Sequence, residues 1–261
     1  MPVRKDPSGE RSVEVEVEVP GTPEEVWKAI ATGPGISAWF VPTTCDEKVG
    51  GNTTCNFGPG METVAAIKKW DPPRSFVAEA EEGVGSGPVA TEWIVEARQG
   101  GTGVVRGVHR WFASTDEWDQ QFEGHTHGWK AFFRILRLYL AHFAGARCTP
   151  VALSSFSTAP LLETWSALLH ALGVDPQNAR LTNAAGAPPL AATIESRGTE
   201  SHPELLLRLD TPAPGLVHIF PMPLGGQVLY SARFYLYGDG GAAAAPSVER
   251  DWTAWLAKVL G

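Results

Sequence analysis

A chain of 261 residues, 43% of them hydrophobic, is long enough to bury a core in one large domain or two modest ones. Its net charge of −8 and pI near 5.4, without a basic stripe, exclude binding along a phosphate backbone, so nucleic acid is not an expected partner. The polar start "MPVRKDPSGERS" lacks an apolar signal core, and no run approaches the ~18 apolar residues of a membrane span, which predicts a soluble, cytoplasmic protein.

The first element is the alternation in "SVEVEVEV", residues 12–19. Val13, Val15, Val17 and Val19 fall on one face and Glu14, Glu16 and Glu18 on the other, as in a half-buried strand. In "GTPEEVWKAIAT", Thr22 can cap a helix, Pro23 fits its first position, and Glu25 stands where a capping box needs it. A short helix is therefore expected from residue 23 to near Gly33, and "ISAWF" reads as a second helical turn. Strand-like runs separated by Gly50-Gly51, "DPP" and "QGGTG" follow, a meander of about six strands up to residue 113. Three cysteines without a C-x-x-C pair indicate neither a disulfide framework nor a zinc knuckle. Cys45 and Cys55 lie symmetrically about Gly50, which sets them opposite each other in a hairpin as reduced thiols on neighbouring strands.

Within "GVVRGVHRWFA", Val105, Gly107, His109 and Trp111 share one strand face. Turning that face inward is preferred, because the alternative buries Arg106 and Arg110. Helical periodicity then takes over: Phe122, His125, Trp129, Phe132, Phe133, Leu136, Leu140 and Phe143 form one stripe, with Gly145 as the stop. Gly128 inside this helix suggests a bulky group passing close to the backbone. His125 and His127 point about 200° apart on a helix and cannot chelate one ion. Glu123 and His127 share a face, but two ligands make no zinc site, so no metal is expected. His127 falls with Lys130 and Arg134 on the polar side. His125, on the apolar stripe, either meets a backbone carbonyl, orients a ligand at a cavity mouth, or acts as a general base.

From residue 150 the cycle restarts. "ETWSAL", Glu163 to Leu168, repeats the pattern of "EVWKAI", Glu25 to Ile30, and "WTAWL" near the C-terminus echoes "WKAFF". The spacing between the paired tryptophans is 102 residues from Trp27 to Trp129 and 87 from Trp165 to Trp252. This reads as a diverged tandem duplication whose second copy has lost roughly a hairpin. "GDGGAAAAP" reads as a flexible linker. No nucleophile elbow and no phosphate-binding loop occurs, so no catalytic residue and no cofactor is assigned.

Taken in order, "VEVEVEVPGTPEEVWKAIAT", "WFVPTTCDEKVGGNTTCNF", "KKWDPPRSFVAEAEE" and "EGHTHGWKAFFRILRLYL" resemble homologues of the activator of heat-shock-protein-90 ATPase, a family of the START-like (helix-grip, SRPBCC) superfamily. The resemblance covers residues 12–145; the second half shares only strand–helix order and the tryptophan motifs. It implies an α+β fold in which a curved antiparallel sheet grips a long C-terminal helix around an apolar cavity. The implied domains are 12–146 and a second, shortened START-like domain, 150–261. Members of the superfamily bind lipids, hormones and polyketides, and some are cyclases or hydratases. The expected partner is a small apolar or aromatic molecule, and the expected lining is Trp39, Phe40, Trp93, His109, Trp111, His125, Trp129, Phe132, Phe133 and Leu136. Two alternatives stand beside this: a cyclase or dehydratase using His109 or His125, and a co-chaperone or regulatory module. The second half then packs on the first or makes a homodimer.

Overall fold

The computed structural model of the chain describes residues 3–6, 10–58, 60–83, 87–98, 100–112, 119–182 and 184–261; at 81–83, 87, 112 and 119–127 it describes the backbone only. The chain divides into two compact units, Met1–Gly145 and Ala146–Gly261.

In the first unit the valine–glutamate alternation forms β2 (Glu10–Pro20), preceded by the two-residue strand β1 (Arg4–Lys5). Val13, Val15 and Val19 are buried. The glutamates face a charged ladder: Arg106 Nε lies 2.9 Å from Glu14, and Arg110 lies 2.8 Å from Glu92. These arginines are thus on the outer face, as the burial argument required. Partly exposed pairs of this kind add little stability, so the ladder mainly fixes which face turns to water.

Helix α1 (Pro23–Ala31) starts on a complete capping box: the Glu25 amide donates to Thr22 Oγ1, and the Thr22 amide donates to the Glu25 carboxylate at 2.8 Å. α2 (Gly33–Ser37) crosses α1 so closely that a Cβ on Gly35 would lie 1.9 Å from the Lys28 carbonyl oxygen. Only glycine fits there. Six strands follow as a meander: β3 (Thr43–Cys45), β4 (Asn52–Asn56), β5 (Glu62–Asp71), β6 (Ser75–Gly83), β7 (Gly87–Arg98) and β8 (Thr102–Phe112). The antiparallel sheet has the order β1-β2-β8-β7-β6-β5-β4-β3, so β8 returns to pair with β2. The long helix α3 (Asp119–His142) lies across the inner face of this sheet, which completes the helix grip.

Two expectations within this unit are corrected. Cys45 pairs with Thr53 and Cys55 with Thr43, so the cysteines are diagonal rather than opposite; both are free thiols. The turn takes an even offset that leaves both on one face but not in register. Gly128 is exposed, and a Cβ there would meet nothing within 4 Å, so no bulky group explains it. Gly128→Ala is therefore expected to raise stability by about 0.5–1 kcal/mol through helix propensity, read as a higher denaturation midpoint.

The second unit repeats the plan. β9 (Cys148–Ser157) precedes α4 (Leu161–Ala171), followed by β10 (Arg180–Leu181), β11 (Ala191–Gly198), β12 (Pro203–Thr211), β13 (Gly215–Leu224) and β14 (Gln227–Tyr237), and then the closing helix α5 (Gly238–Leu260). The sheet order β10-β11-β12-β13-β14-β9 again returns the last strand to the first. Among the described residues the meander has five strands instead of six, and α2 has no counterpart, so the second copy is shorter by one strand and a short helix rather than by a hairpin. "GDGGAAAAP" is not a linker: it is the first part of α5. Alanine is the best helix former, and Gly241 lets the helix start close against Leu236, where a Cβ would lie 2.5 Å from its carbonyl carbon. α5 packs along β9 and β14 through a core that includes Trp165, Leu168, Phe234, Trp252 and Trp255.

Candidate functional site

The inner face of the first sheet and α3 are joined by a cluster of aromatic rings. Trp39, just after α2, is anchored by its indole Nε1, which donates to the Ala29 carbonyl at 2.9 Å, and is buried. Its neighbour Phe40 stacks on Trp129 with ring centroids 5.1 Å apart and planes 17° from parallel, and meets Phe132 edge-on at 4.5 Å. From β7, Trp93 approaches Trp39 at 6.0 Å, Trp129 at 5.5 Å and Phe133 at 5.9 Å. Gly107 on β8 forms the floor: a Cβ there would lie 3.3 Å from Phe133 Cζ and 4.0 Å from a Trp93 ring carbon. Leu136, one turn further along α3, is fully buried.

Burial is uneven across the cluster. Trp39, Phe40 and Phe133 are buried, whereas Trp93, Trp129, Phe132 and His109 are only half-buried. The half-buried group includes the cluster's polar side chain. His109 lies with its ring 4.9 Å from Trp129. Its Nδ1 is 3.0 Å from the hydroxyl of Thr91, which stands directly opposite on β7. An aromatic surface with, among the described residues, one polar pair beside it suits a flat, largely apolar molecule with few hydrogen-bonding groups.

Of the ten expected lining residues, seven are linked by these ring contacts: Trp39, Phe40, Trp93, His109, Trp129, Phe132 and Phe133. Trp111 shares the inner face but lies two residues further along β8, where it is buried with Val13 and packed by Val3 and Val89. The side chain of His125 lies outside the described residues. Several participants escaped sequence reasoning. Thr91 is one, although it precedes Trp93 by two residues and so shares its strand face. Trp27, Trp70 and Phe76 extend the cluster: Trp27 meets Trp70 at 5.1 Å and Phe76 at 5.8 Å, and Phe76 stacks on Trp93 at 6.2 Å. Phe57 meets Phe40 at 5.5 Å from the other side.

No group of three or more potential metal ligands exists among the described residues. No described helix is long and apolar enough to cross a membrane. The cysteines of β3 and β4 are poor nucleophiles. Burial, then the carboxylates of Glu47 and Asp46, push the Cys45 thiol up to about 11, and burial also raises Cys55. An acid whose folded pKa exceeds its unfolded one, about 8.5 for cysteine, contributes stability below the unfolded value. That contribution is lost as pH rises toward about 11. Stability is therefore expected to decline with rising pH above about 8.5, with a shallower slope in Cys45→Ala, as measured by denaturant midpoints at stepped pH.

The second unit differs in its interior. Trp252, which corresponds in sequence to Trp129, is buried, with Phe234 at 4.9 Å and Trp255 at 5.3 Å. The Tyr230 hydroxyl bonds to Thr164 and donates to the Leu161 carbonyl at 3.2 Å, so this polar group is satisfied within α4.

A family model described as polyketide cyclase / dehydrase and lipid transport matches residues 10–140. No curated protein matches the chain. Among solved structures, CalU16 from Micromonospora echinospora is similar at 20% identity over 54% of this chain and 83% of its own, with a TM-score of 0.43. The di-domain ARO/CYC BexL from the BE-7585A biosynthetic pathway is similar at 13% identity over 96% of this chain and 98% of its own, with a TM-score of 0.49. The Aha1 dimer from Colwellia psychrerythraea is similar at 18% identity over 51% of this chain and 98% of its own, with a TM-score of 0.42.

Proposed function

The chain belongs to the polyketide cyclase / dehydrase and lipid-transport family of START-like proteins, and from that premise we propose that its first unit binds a small, flat, apolar or aromatic molecule. The ligand lies against Trp93, Trp129 and Phe132, with the Thr91–His109 pair as its polar contact. The observation that carries this reading is the half-burial of these rings on two facing elements, beside fully buried neighbours of the same kind. A ring needed only for packing gains most by full burial, at about 25 cal/mol per Å² of apolar surface. Leaving three large rings partly open at one end of the cluster forgoes that gain. The second unit, whose corresponding Trp252 is buried, serves as a shortened START-like domain without a ligand site of its own.

The test uses two naphthalenes of matched shape, 2-acetylnaphthalene and its hydrocarbon isostere 2-isopropenylnaphthalene, with thermal unfolding of the full chain as the readout. A ligand at 100 times its Kd stabilises the state that binds it by about 2.7 kcal/mol. Both probes are expected to raise the unfolding midpoint. Absence of a shift for either, up to its solubility limit, would contradict the reading.

A further inference from the structure

The first strands of the two units match without a gap. Trp165 lies 138 residues after Trp27, and the same offset sets Val13 and Val15 of β2 on Val151 and Leu153 of β9. These inner-face positions stay apolar and buried. The outer-face positions change character: Glu14, Glu16 and Glu18 of β2 fall on Ala152, Ser154 and Phe156 of β9. All three replacements are exposed, Phe156 by 50%. No charged residue occurs from Cys148 to Leu162, in a chain of net charge −8. β9 is also the last strand of its sheet, ten residues long and without a bulge against β14. The other edge strands are short: β1 has two residues, both basic, β3 has three, and β10 has two. Proteins shorten, charge or cover such edges because their free N–H and C=O groups recruit another strand. Among the described residues, β9 alone is a long, uncharged edge.

We propose that β9 is a dimerisation edge: two copies of the chain pair their β9 strands antiparallel about a twofold axis at Ser154, so that their second sheets become continuous. The backbone decides which residues take part. The Gly238 amide donates to the Arg147 carbonyl at 2.8 Å, so in the ladder to β14 the odd-numbered residues of β9 hold the hydrogen bonds. The even-numbered residues direct their N–H and C=O groups to the open side. Of these, Pro150 has no N–H, whereas Ala152, Ser154 and Phe156 each offer a donor and an acceptor. With Ser154 facing its own counterpart, Ala152 faces Phe156 of the second copy, each pair exchanges two hydrogen bonds, and Pro150 falls outside the pairing. Phe156 already has Leu229 beside it on β14 and, beyond that on β13, Met222, which is 44% exposed. The small Ala152 of the second copy covers the open side of this ring. A twofold contact sets each charge close to its own copy, which an uncharged strip avoids. The three glutamates of β2 would oppose the same pairing there.

The full wild-type chain is expected to sediment as a dimer that dissociates on dilution. Ser154→Glu gives β9 the charge that β2 carries at the matching position and sets two carboxylates at the axis. It is expected to weaken the dimer about tenfold or more, read by sedimentation velocity. Ser154→Lys does the same alone, and an equimolar mixture of the two variants regains the dimer, which a folding defect would not do. Amide exchange is expected to be slow at Ala152, Ser154 and Phe156 in the wild-type dimer and fast in Ser154→Glu, a readout that needs no variant to locate the contact. A wild-type chain that stays monomeric up to its solubility limit would overturn the proposal. Assemblies larger than a dimer would also overturn it, since a twofold edge closes on itself. So would a dimer left intact by Ser154→Glu, a variant mixture that stays monomeric while both variants unfold cooperatively, or fast exchange at the three amides in a wild-type dimer.

Discussion

Phe133→Ala is expected to destabilise the first unit by about 3–5 kcal/mol. Phe133 is 2% exposed and sits between Trp39, Trp93 and Trp129, at 6.4, 5.9 and 6.1 Å between ring centroids. Its ring tip rests on the strand floor at Gly107, where even a methyl group would be tight. The cost of such a truncation depends on how far the surroundings can collapse into the void. Here they collapse poorly, because Trp39 is pinned by its hydrogen bond to Ala29 and Gly107 has no side chain to offer. Chemical denaturation followed by tryptophan fluorescence reads the change. A loss below about 1 kcal/mol would show that the void refills and that Phe133 does not hold α3 on the sheet.

Trp129→Ala is expected to show the opposite balance, with a smaller stability loss and a fall of about tenfold or more in the affinity for both naphthalene probes. Trp129 is half-buried, so its removal exposes less apolar surface than that of Phe133. It is nevertheless the ring that meets Phe40, Trp93 and His109 together. A ligand stacked at this end of the cluster loses its largest flat contact, and a tenfold change corresponds to about 1.4 kcal/mol. Equal affinity in wild type and Trp129→Ala, measured by fluorescence titration, would remove Trp129 from the site.

Local pattern made much of the first unit legible. The valine–glutamate alternation of β2, the capping box of α1 and the part of the α3 stripe from Trp129 to Leu140 each follow from side-chain period and backbone chemistry, and each stands in the structure, whereas the side chains of Phe122 and His125 lie outside the described residues and Phe143 follows the helix end. The inward face of β8 was legible for an energetic reason, since the other choice buried Arg106 and Arg110. Register was not legible. Trp111 and His109 share a face, but the pairing with β2 and β7 sets Trp111 beside Val89 and His109 beside Thr91. The composition of the segment alone does not supply that pairing. The same gap hid Thr91 and put the two cysteines opposite each other when they are diagonal. Gly- and Ala-rich sequence at 238–245 was misread because its composition suggested a flexible linker. The helix propensity of four alanines, and the close seat of Gly241 on Leu236, outweigh it.

The two units show why a shared plan need not carry a shared site. Both return their last strand to their first and close with a long helix. Among the described residues, only in the first is the aromatic interior joined to a histidine and a threonine on the sheet's inner face. In the second, apolar side chains fill the corresponding region, and the tyrosine hydroxyl is consumed by α4.

The most direct test of ligand binding at the first unit's rings is to follow the indole N–H signals of the ten tryptophans by NMR while 2-acetylnaphthalene is added. The signals of Trp93 and Trp129 are expected to move together and saturably, while those of Trp165, Trp252 and Trp255 stay in place. Movement at Trp252 and Trp255 instead, or no movement at any tryptophan up to the solubility limit, would contradict the assignment.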